Sequence, residues 1–420
     1  MNLELPREAA EASEWVLSTA TADETQIYWR LGRRHAVREV RTSTNELTLY
    51  RDLPEGRGMG VAYLVGDGGD GERVRTALTA ATMATNPPYH LPEGPAVYPD
   101  VALGAARLPE RQQLEDWQAG VARRIEASGA RAAHLELFSG RHTVRLSASN
   151  GRSHAWQGDR LLLDLVVAAG EGDETVEFHV MRTARLLDRL LPDDVLESAV
   201  RAVRDRPRAV LPPTGRMAVV LPASELSTLL SAVTMHTSGQ LLVTGMLQKK
   251  AGDRLIAAKG DPITIASDPL RPYAVASAPT DASTVPARRL PLLDQGVIAA
   301  MHADPQYAAY LDMEPTGPLG TLTWAAGNTP AADLLQQGPV LEVLAFSANM
   351  PDPMSGDFAS EIKMGYLHRD GKVEPVAQGS VTGNVFEALA DTCLSRETEE
   401  GDGYFGPARV RFAALQVAGA

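Results

Sequence analysis

The chain is read as an α+β protein of two domains. An N-terminal antiparallel sheet with packed helices is expected over residues 1–208, and a strand-rich C-terminal domain over 209–420. Three observations predict this. Short stretches that alternate apolar and polar residues recur through the first half, several joined by hairpin turn signals such as Asn150-Gly151. Helical periodicity is confined to a few segments there, and few strong helix signals occur between the helix near Ser224 and Val385. Between the halves lies Pro207-Arg208-Ala209-Val210-Leu211-Pro212-Pro213-Thr214-Gly215, whose prolines continue neither a helix nor a central strand. At 420 residues the chain is long enough for each domain to bury a core.

Taken in order, residues 1–18 predict a helix, because Ala9, Ala12, Trp15 and Val16 give it a partly apolar face. Strands are expected at 24–30, 36–42, 46–52 and 58–65. The glycine run 66–71 is read as a solvated turn: no Gly-Lys-Ser/Thr follows, and Asp67 and Asp70 would repel phosphate. A helix at 72–85 stops at Asn86-Pro87-Pro88. Residues 87–109 hold six prolines and predict an extended connector. Leu114, Trp117, Val121 and Ile125 mark an amphipathic helix over 110–128. Strands follow at 132–138, 143–149 and 154–158, then a hairpin of 161–169 with 175–183 across Gly170-Glu171-Gly172-Asp173. Asp193 and Asp194 open a helix at 195–206, where acids suit the positive end of the dipole. Beyond the boundary come a strand at 217–221 and a helix at 224–238, with Leu226, Leu229, Leu230 and Val233 on one face. Asp370-Gly371 predicts a two-residue hairpin turn, and a short helix starts after Asn384.

Composition excludes several classes. The net charge of -13 argues against a nucleic-acid surface. Cys393 is the single cysteine, so there is no disulfide framework and no cysteine-based zinc ribbon. The first ten residues mix acids with Arg7 and lack the apolar core of a signal peptide, and no apolar run nears the ~20 residues that span a bilayer. A soluble cytoplasmic protein without nucleic-acid or membrane partners is expected.

Residues 354–389 hold the densest pattern: Ser355-Gly356-Asp357-Phe358, then Gly365-Tyr366, then Asp370-Gly371-Lys372-Val373-Glu374-Pro375-Val376, then Thr382-Gly383-Asn384-Val385-Phe386-Glu387-Ala388-Leu389. In this order and spacing the set resembles the C-terminal signature of the TldD/PmbA family, more narrowly its PmbA (TldE) branch. That family forms two-chain metallopeptidases once described as modulators of DNA gyrase. The resemblance is strong over the last third of the chain and fades towards the N-terminus.

In the catalytic branch, the helix corresponding to 224–238 carries His-Glu-x-x-x-His: two histidines bind zinc and the glutamate serves as general base. Here the segment reads Ser231-Ala232-Val233-Thr234-Met235-His236-Thr237-Ser238, and one imidazole cannot hold a catalytic zinc. His236 is read as a core-edge or surface residue. His134, His142, His154 and His179 lie on or beside different strands, without the carboxylate pattern of a metal site. The catalytic branch also has a metal-linked cysteine late in this domain, followed by glycine. The matching region here is Glu400-Gly401-Asp402-Gly403-Tyr404-Phe405, and Cys393 is read as a structural thiol near the end of the 385–390 helix.

Ser360-Glu361-Ile362-Lys363 fits the Ser-x-x-Lys of penicillin-recognising enzymes, but no Lys-Thr-Gly exists and Ser347-Ala348-Asn349 precedes it. Asp352 and Asp357 flank a loop that could hold a divalent cation; the alternative is a turn in which Asp357 bonds local amides.

The resemblance thus implies a non-zinc subunit with no catalytic or metal residue of its own. Zinc would sit in a TldD-like partner, the substrate would be an unfolded peptide, and Gly356, Asp357, Phe358, Gly383 and Asn384 would face substrate or partner. Two other classes stay open: a metal-independent hydrolase using Cys393 or Ser360, and a non-catalytic peptide-binding or assembly module.

Overall fold

In a computed structural model that describes residues 5–30 and 32–419, the alternating segments of the first half become strands far longer than their local patterns. They are β1 (Glu14–Arg30), β2 (Arg33–Leu53), β3 (Gly56–Leu64), β4 (Arg131–Ala148), β5 (Ser153–Ala169) and β6 (Val176–Ala184). They form one antiparallel sheet in the order β3-β2-β1-β4-β5-β6. The expected strands 36–42 and 46–52 are one strand, since Ser43, Thr44 and Asn45 pair with Thr21, Ala20 and Thr19 of β1. In the same way 132–138 and 143–149 fuse into β4, and 154–158 and 161–169 into β5.

The helix expected at 1–18 is corrected. Only Arg7–Glu11 turns, as a 3-10 helix, and β1 begins at Glu14; residues 1–4 lie outside the described residues. Period 2 wins here because Trp15 and Leu17 join one apolar cluster while Val16 joins another across the sheet. Helices α1 (Asp70–Ala80), α2 (Arg111–Ala127) and α3 (Asp193–Asp205) cover one face, α1 over β2 and β3, and α2 and α3 over β4 to β6. In the glycine run, the Val65 and Gly66 amides already donate to the Asp70 carboxylate, so that loop has no free cradle for phosphate.

The second half opens with β7 (Gly215–Pro222) and three short helices, α4 (Ala223–Leu229), α5 (Ser231–His236) and α6 (Gly239–Val243), where one helix over 224–238 is expected. Leu226, Leu229, Leu230 and Val233 are nevertheless buried together. Then come β8 (Ile265–Asp268), β9 (Leu290–Asp294), β10 (Val297–Ile298), α7 (Pro305–Tyr310), β11 (Thr321–Trp324), β12 (Val340–Ala348), β13 (Asp357–Arg369), β14 (Lys372–Val376), β15 (Ser380–Asn384), α8 (Val385–Leu389), β16 (Thr392–Leu394), β17 (Thr398–Gly401), β18 (Tyr404–Pro407) and β19 (Arg409–Ala418). Strands β7, β19, β15, β13 and β12 close on themselves, because β12 pairs with both β13 and β7. The expected hairpin joins β13 to β14, with Asp370 at φ 51° and Gly371 at φ 72°. A second sheet runs β10-β9-β8-β11-β18-β17. No helix among the described residues is long and apolar enough to cross a membrane.

The two proline-rich segments are bonded into the structure. Val210 pairs with β14, its N–H donating to Pro375 O at 3.0 Å and its carbonyl accepting from Ala377. From the 87–109 connector, Tyr98 Oη donates to Thr284 O, and Ala102 O accepts from Tyr273 N–H. Arg185, 4% exposed at the end of β6, donates to the carbonyls of Leu103, Asp159, Ala274, Val275 and Ser277. Arg185→Lys keeps the charge but loses the planar fork, leaving carbonyls unbonded. Urea unfolding should show a loss of about 2–4 kcal/mol.

Asp281 sits in the loop that carries Thr284. Burial pushes its carboxyl up to about 6, against the pull of the Val285 and Ser283 amides that donate to it. A folded-state value above the unfolded one means the native protein holds this proton more tightly. Its contribution is therefore present below pH ~4 and is lost as pH rises to ~6. Asp281→Asn removes that loss. From pH 4.5 to 7.5 the variant should gain about 1–2 kcal/mol on the parent by denaturant titration; parallel curves would refute it.

Candidate functional site

Because Leu226, Leu229, Leu230 and Val233 are buried, the opposite face of α4 and α5 points outwards with Ser227, Thr228, Ser231, Thr234 and Met235. Across a cleft of ≈ 580 Å³ stand Leu319, Gly320 and Leu322 beside β11, and Asp402-Gly403 at the tip of the β17–β18 hairpin. Asp402 (φ 44°) and Gly403 (φ 82°) form that tip. The Asp402 carboxylate accepts from Thr183 N at 3.1 Å and Thr183 Oγ1 at 2.5 Å, which ties the tip to β6. Two neighbouring clefts, of ≈ 700 and ≈ 260 Å³, are also lined by Asp402, so all three meet at this residue between the two halves.

The larger neighbour is walled by Arg182, Arg271 and Tyr273, and Arg271 pairs with Glu400 at 3.0 Å. The smaller holds Glu225, Glu342, Glu399 and Arg409. Burial pushes the Glu225 and Glu399 carboxyls up. It also pushes Glu342 up, but the hydrogen bond from His368 and the Arg409 charge outweigh it, leaving that carboxyl below its usual range.

The residues present do not fit a resident zinc. His236 Nε2 donates to Met354 O at 2.9 Å, and its ring stands edge-on to Phe386. His302 Nε2, at the cleft, donates to Thr234 O at 3.0 Å. Among the described residues, no three His, Cys, Asp or Glu side chains gather as a metal ion requires. Of the strand histidines, His134 meets Glu136, His179 meets Asp164, His154 stacks on Tyr98, and His142 lies beside Gly158.

The five residues singled out by sequence come together, largely for structural reasons. Asn384 caps α8, its Oδ1 accepting from Phe386 and Glu387 N–H, while Nδ2 donates to Ser355 O and Asp357 Oδ1, both at 2.8 Å. Gly356 has φ +81°, and a Cβ there would lie 2.8 Å from the Phe386 ring. Phe358 is 6% exposed and packs against Gly383. The loop's amides are held by Asp352, which accepts from Met354 and Ser355, and not by Asp357. Those bonds hold the Asp352 carboxyl below its usual range.

Ser360 is 0% exposed and donates to Asn349 Oδ1, while Asn349 bonds Glu225. Lys363 lies an odd number of residues along β13, on the opposite face. Cys393 is on β16, its Sγ 3.2 Å from Thr329 Oγ1 and its side packed on an apolar cluster. Sequence reasoning missed Thr183, Leu319, Leu322 and Asp402 as groove residues. Only Asp402-Gly403 left a signal, as a hairpin turn pair.

Asn384→Ala should cost about 1–2 kcal/mol through the lost cap and the freed Asp357, read by thermal melts with Glu387→Ala as control. Elemental analysis of the dialysed chain should show far less than one zinc per molecule, and stoichiometric retention would contradict the ligand inventory.

Residues 214–419 match the model of the PmbA/TldA metallopeptidase C-terminal domain. No curated protein matches the chain in sequence. Among solved structures, TldE from Thermococcus kodakarensis superposes with a TM-score of 0.82 at 18% identity, over 98% of both chains. A proposed modulator of a DNA gyrase from Thermotoga maritima gives 0.82 at 18%, over 96% of both. A proposed modulator of DNA gyrase from Bacteroides thetaiotaomicron gives 0.80 at 16%, over 98% of this chain and 97% of that one. At these identities the likeness establishes the fold.

Proposed function

We propose, from the premise that the chain belongs to the PmbA/TldD family through residues 214–419, that it is the non-zinc subunit of a two-chain peptidase acting on unfolded peptides. The observation that supports this reading is the cleft between α4–α5 and the Asp402-Gly403 tip. The resemblance ties these two places to the metal ligands of the catalytic branch. Here they meet as Ser231, Met235, Asp402 and Gly403, a shape without a ligand set. A TldD-like partner supplies the zinc and the hydrolytic step. This chain contributes the walls that hold a peptide extended, with hydroxyls at Ser227, Thr228, Ser231 and Thr234 and apolar contacts at Met235, Leu319 and Leu322.

The metal-independent alternatives find less support. Ser360 is sealed in the core with its proton committed to Asn349, and Cys393 lines none of the three clefts. A peptide-binding module without proteolysis would use the same groove and differs only in what its partner does.

The test mixes the purified chain with a TldD-like chain from the same cell and an unstructured peptide. Cleavage should need both chains and vanish with a zinc chelator. Asp402→Ala and Asn384→Ala should lower the joint kcat/KM by several-fold, about 1 kcal/mol in transition-state terms, while Cys393→Ser and Ser360→Ala leave it near the parent value. Chelator-resistant cleavage by the isolated chain, lost in either of the last two variants, would replace this reading.

A further inference from the structure

The ≈ 700 Å³ cleft beside the groove is lined from both halves of the chain. Arg182 and Arg189 reach it from the first, and Arg271, Thr321 and Glu400 from the second. Arg271 is fixed there without being used up. Its guanidinium carbon lies 3.5 Å from the centre of the Phe405 ring, a cation–π contact that holds the plane of the fork. Of its five N–H groups, one is bonded among the described residues: Nη2 donates to Glu400 Oε2 at 3.0 Å. The Arg271 side chain is 25% exposed. Arg189 is exposed, lies 5.4 Å over the Tyr273 ring, and has no ion pair among the described residues. Tyr273 itself is held at φ 62°, an unfavourable left-handed conformation of the kind that gathers at ligand sites.

The wall of this cleft is short of acceptors. Arg182 Nε, Arg271 Nε and Thr321 Oγ1 are buried without a hydrogen-bond partner, and all three can donate. Thr321 is 1% exposed, and alternation along β11 puts it on this side while Leu322 faces the groove. The carboxylates nearby do not make up the shortage. Asp188 and Asp194 are exposed to water, Asp402 accepts from Thr183, and Glu399 stands 3.5 Å from Arg182.

We propose that this cleft binds a peptide carboxylate, either a free C-terminus or an acidic side chain, on Arg271 and Arg189, in competition with Glu400. A guanidinium fork matches a carboxylate edge to edge, and Phe405 already orients the fork. Phosphate carries more charge into a cleft that also holds Asp188, Asp194, Glu399 and Glu400, and is disfavoured by their repulsion. A cationic ligand would leave every unpaired donor of the wall unpaired. The volume exceeds what a free acetate-sized anion fills and suits a ligand of short-peptide size. The site lies beyond the groove of the peptidase reading and does not rest on that reading.

Calorimetric titration of the isolated full chain should compare three probes: acetyl-trialanine as the free acid, the same peptide amidated, and amidated acetyl-Ala-Glu-Ala. One or both carboxylate peptides should bind roughly tenfold or more tighter than the neutral amide, the worth of a charge-assisted hydrogen bond. Which of them does so identifies the source of the carboxylate. Arg271→Gln should remove the advantage, and Arg189→Ala should reduce it several-fold. Glu400→Gln should raise it, because the internal competitor is gone. Should Arg271→Gln fail to fold, the opposite signs of Arg189→Ala and Glu400→Gln decide. Equal binding of the three probes overturns the proposal, as does no binding of any. So does an advantage that survives Arg271→Gln, a weaker one in Glu400→Gln, or inorganic phosphate binding tighter than either carboxylate peptide. No cleavage is read, so these outcomes stand apart from the fate of the peptidase reading.

Discussion

Five neutral carbonyl oxygens, from the 87–109 connector, β5 and the 274–277 loop, converge on the guanidinium of Arg185. Burial lowers its pKa to about 10, partly offset by the charge of Asp159, so it remains a cation at neutral pH. A buried cation without partners would be too costly to keep, and each of these carbonyls would be costly if left bare. The arrangement satisfies both at once, and it holds the end of β6 against the C-terminal domain. Two residues earlier, on β6, Thr183 thereby reaches Asp402. The groove between the halves follows from this anchoring.

Several side chains around the groove have structural duties. Leu226, Leu229, Leu230 and Val233 seat α4 and α5 on the barrel, and that packing does not depend on what the outer face carries. His236 and His302, the imidazoles nearest those helices, each spend a proton on a backbone carbonyl. Asn384 likewise caps α8 and holds Asp357, so the most recognisable part of the signature is first a device for fixing the 352–357 loop.

Much of the architecture was legible in residue patterns. Asp370-Gly371 dictates its turn because both residues accept positive φ, and the 3.6-residue spacing of Leu114, Val121 and Ile125 dictates α2. The lengths of β2, β4 and β5 were not legible. Ser43, Thr44 and Asn45 are turn formers by themselves, and they stay extended because β1 pairs with every one of them. The helix expected at 1–18 gave way for a related reason: Trp15 and Val16 each found an apolar cluster on opposite faces of the sheet.

By itself the sequence determined what short-range stereochemistry controls: turns, amphipathic helices, the family signature in 354–389, and the lack of a second histidine or glutamate near His236. Only the tertiary structure decided what depends on residues far apart in the chain. It put Phe358 and Ser360 in the core, gave Asp352 the amides that Asp357 was expected to hold, and brought Thr183 to Asp402 across more than two hundred residues. Such contacts arise when sheets close and domains dock, and no local pattern encodes which distant partner a side chain will meet.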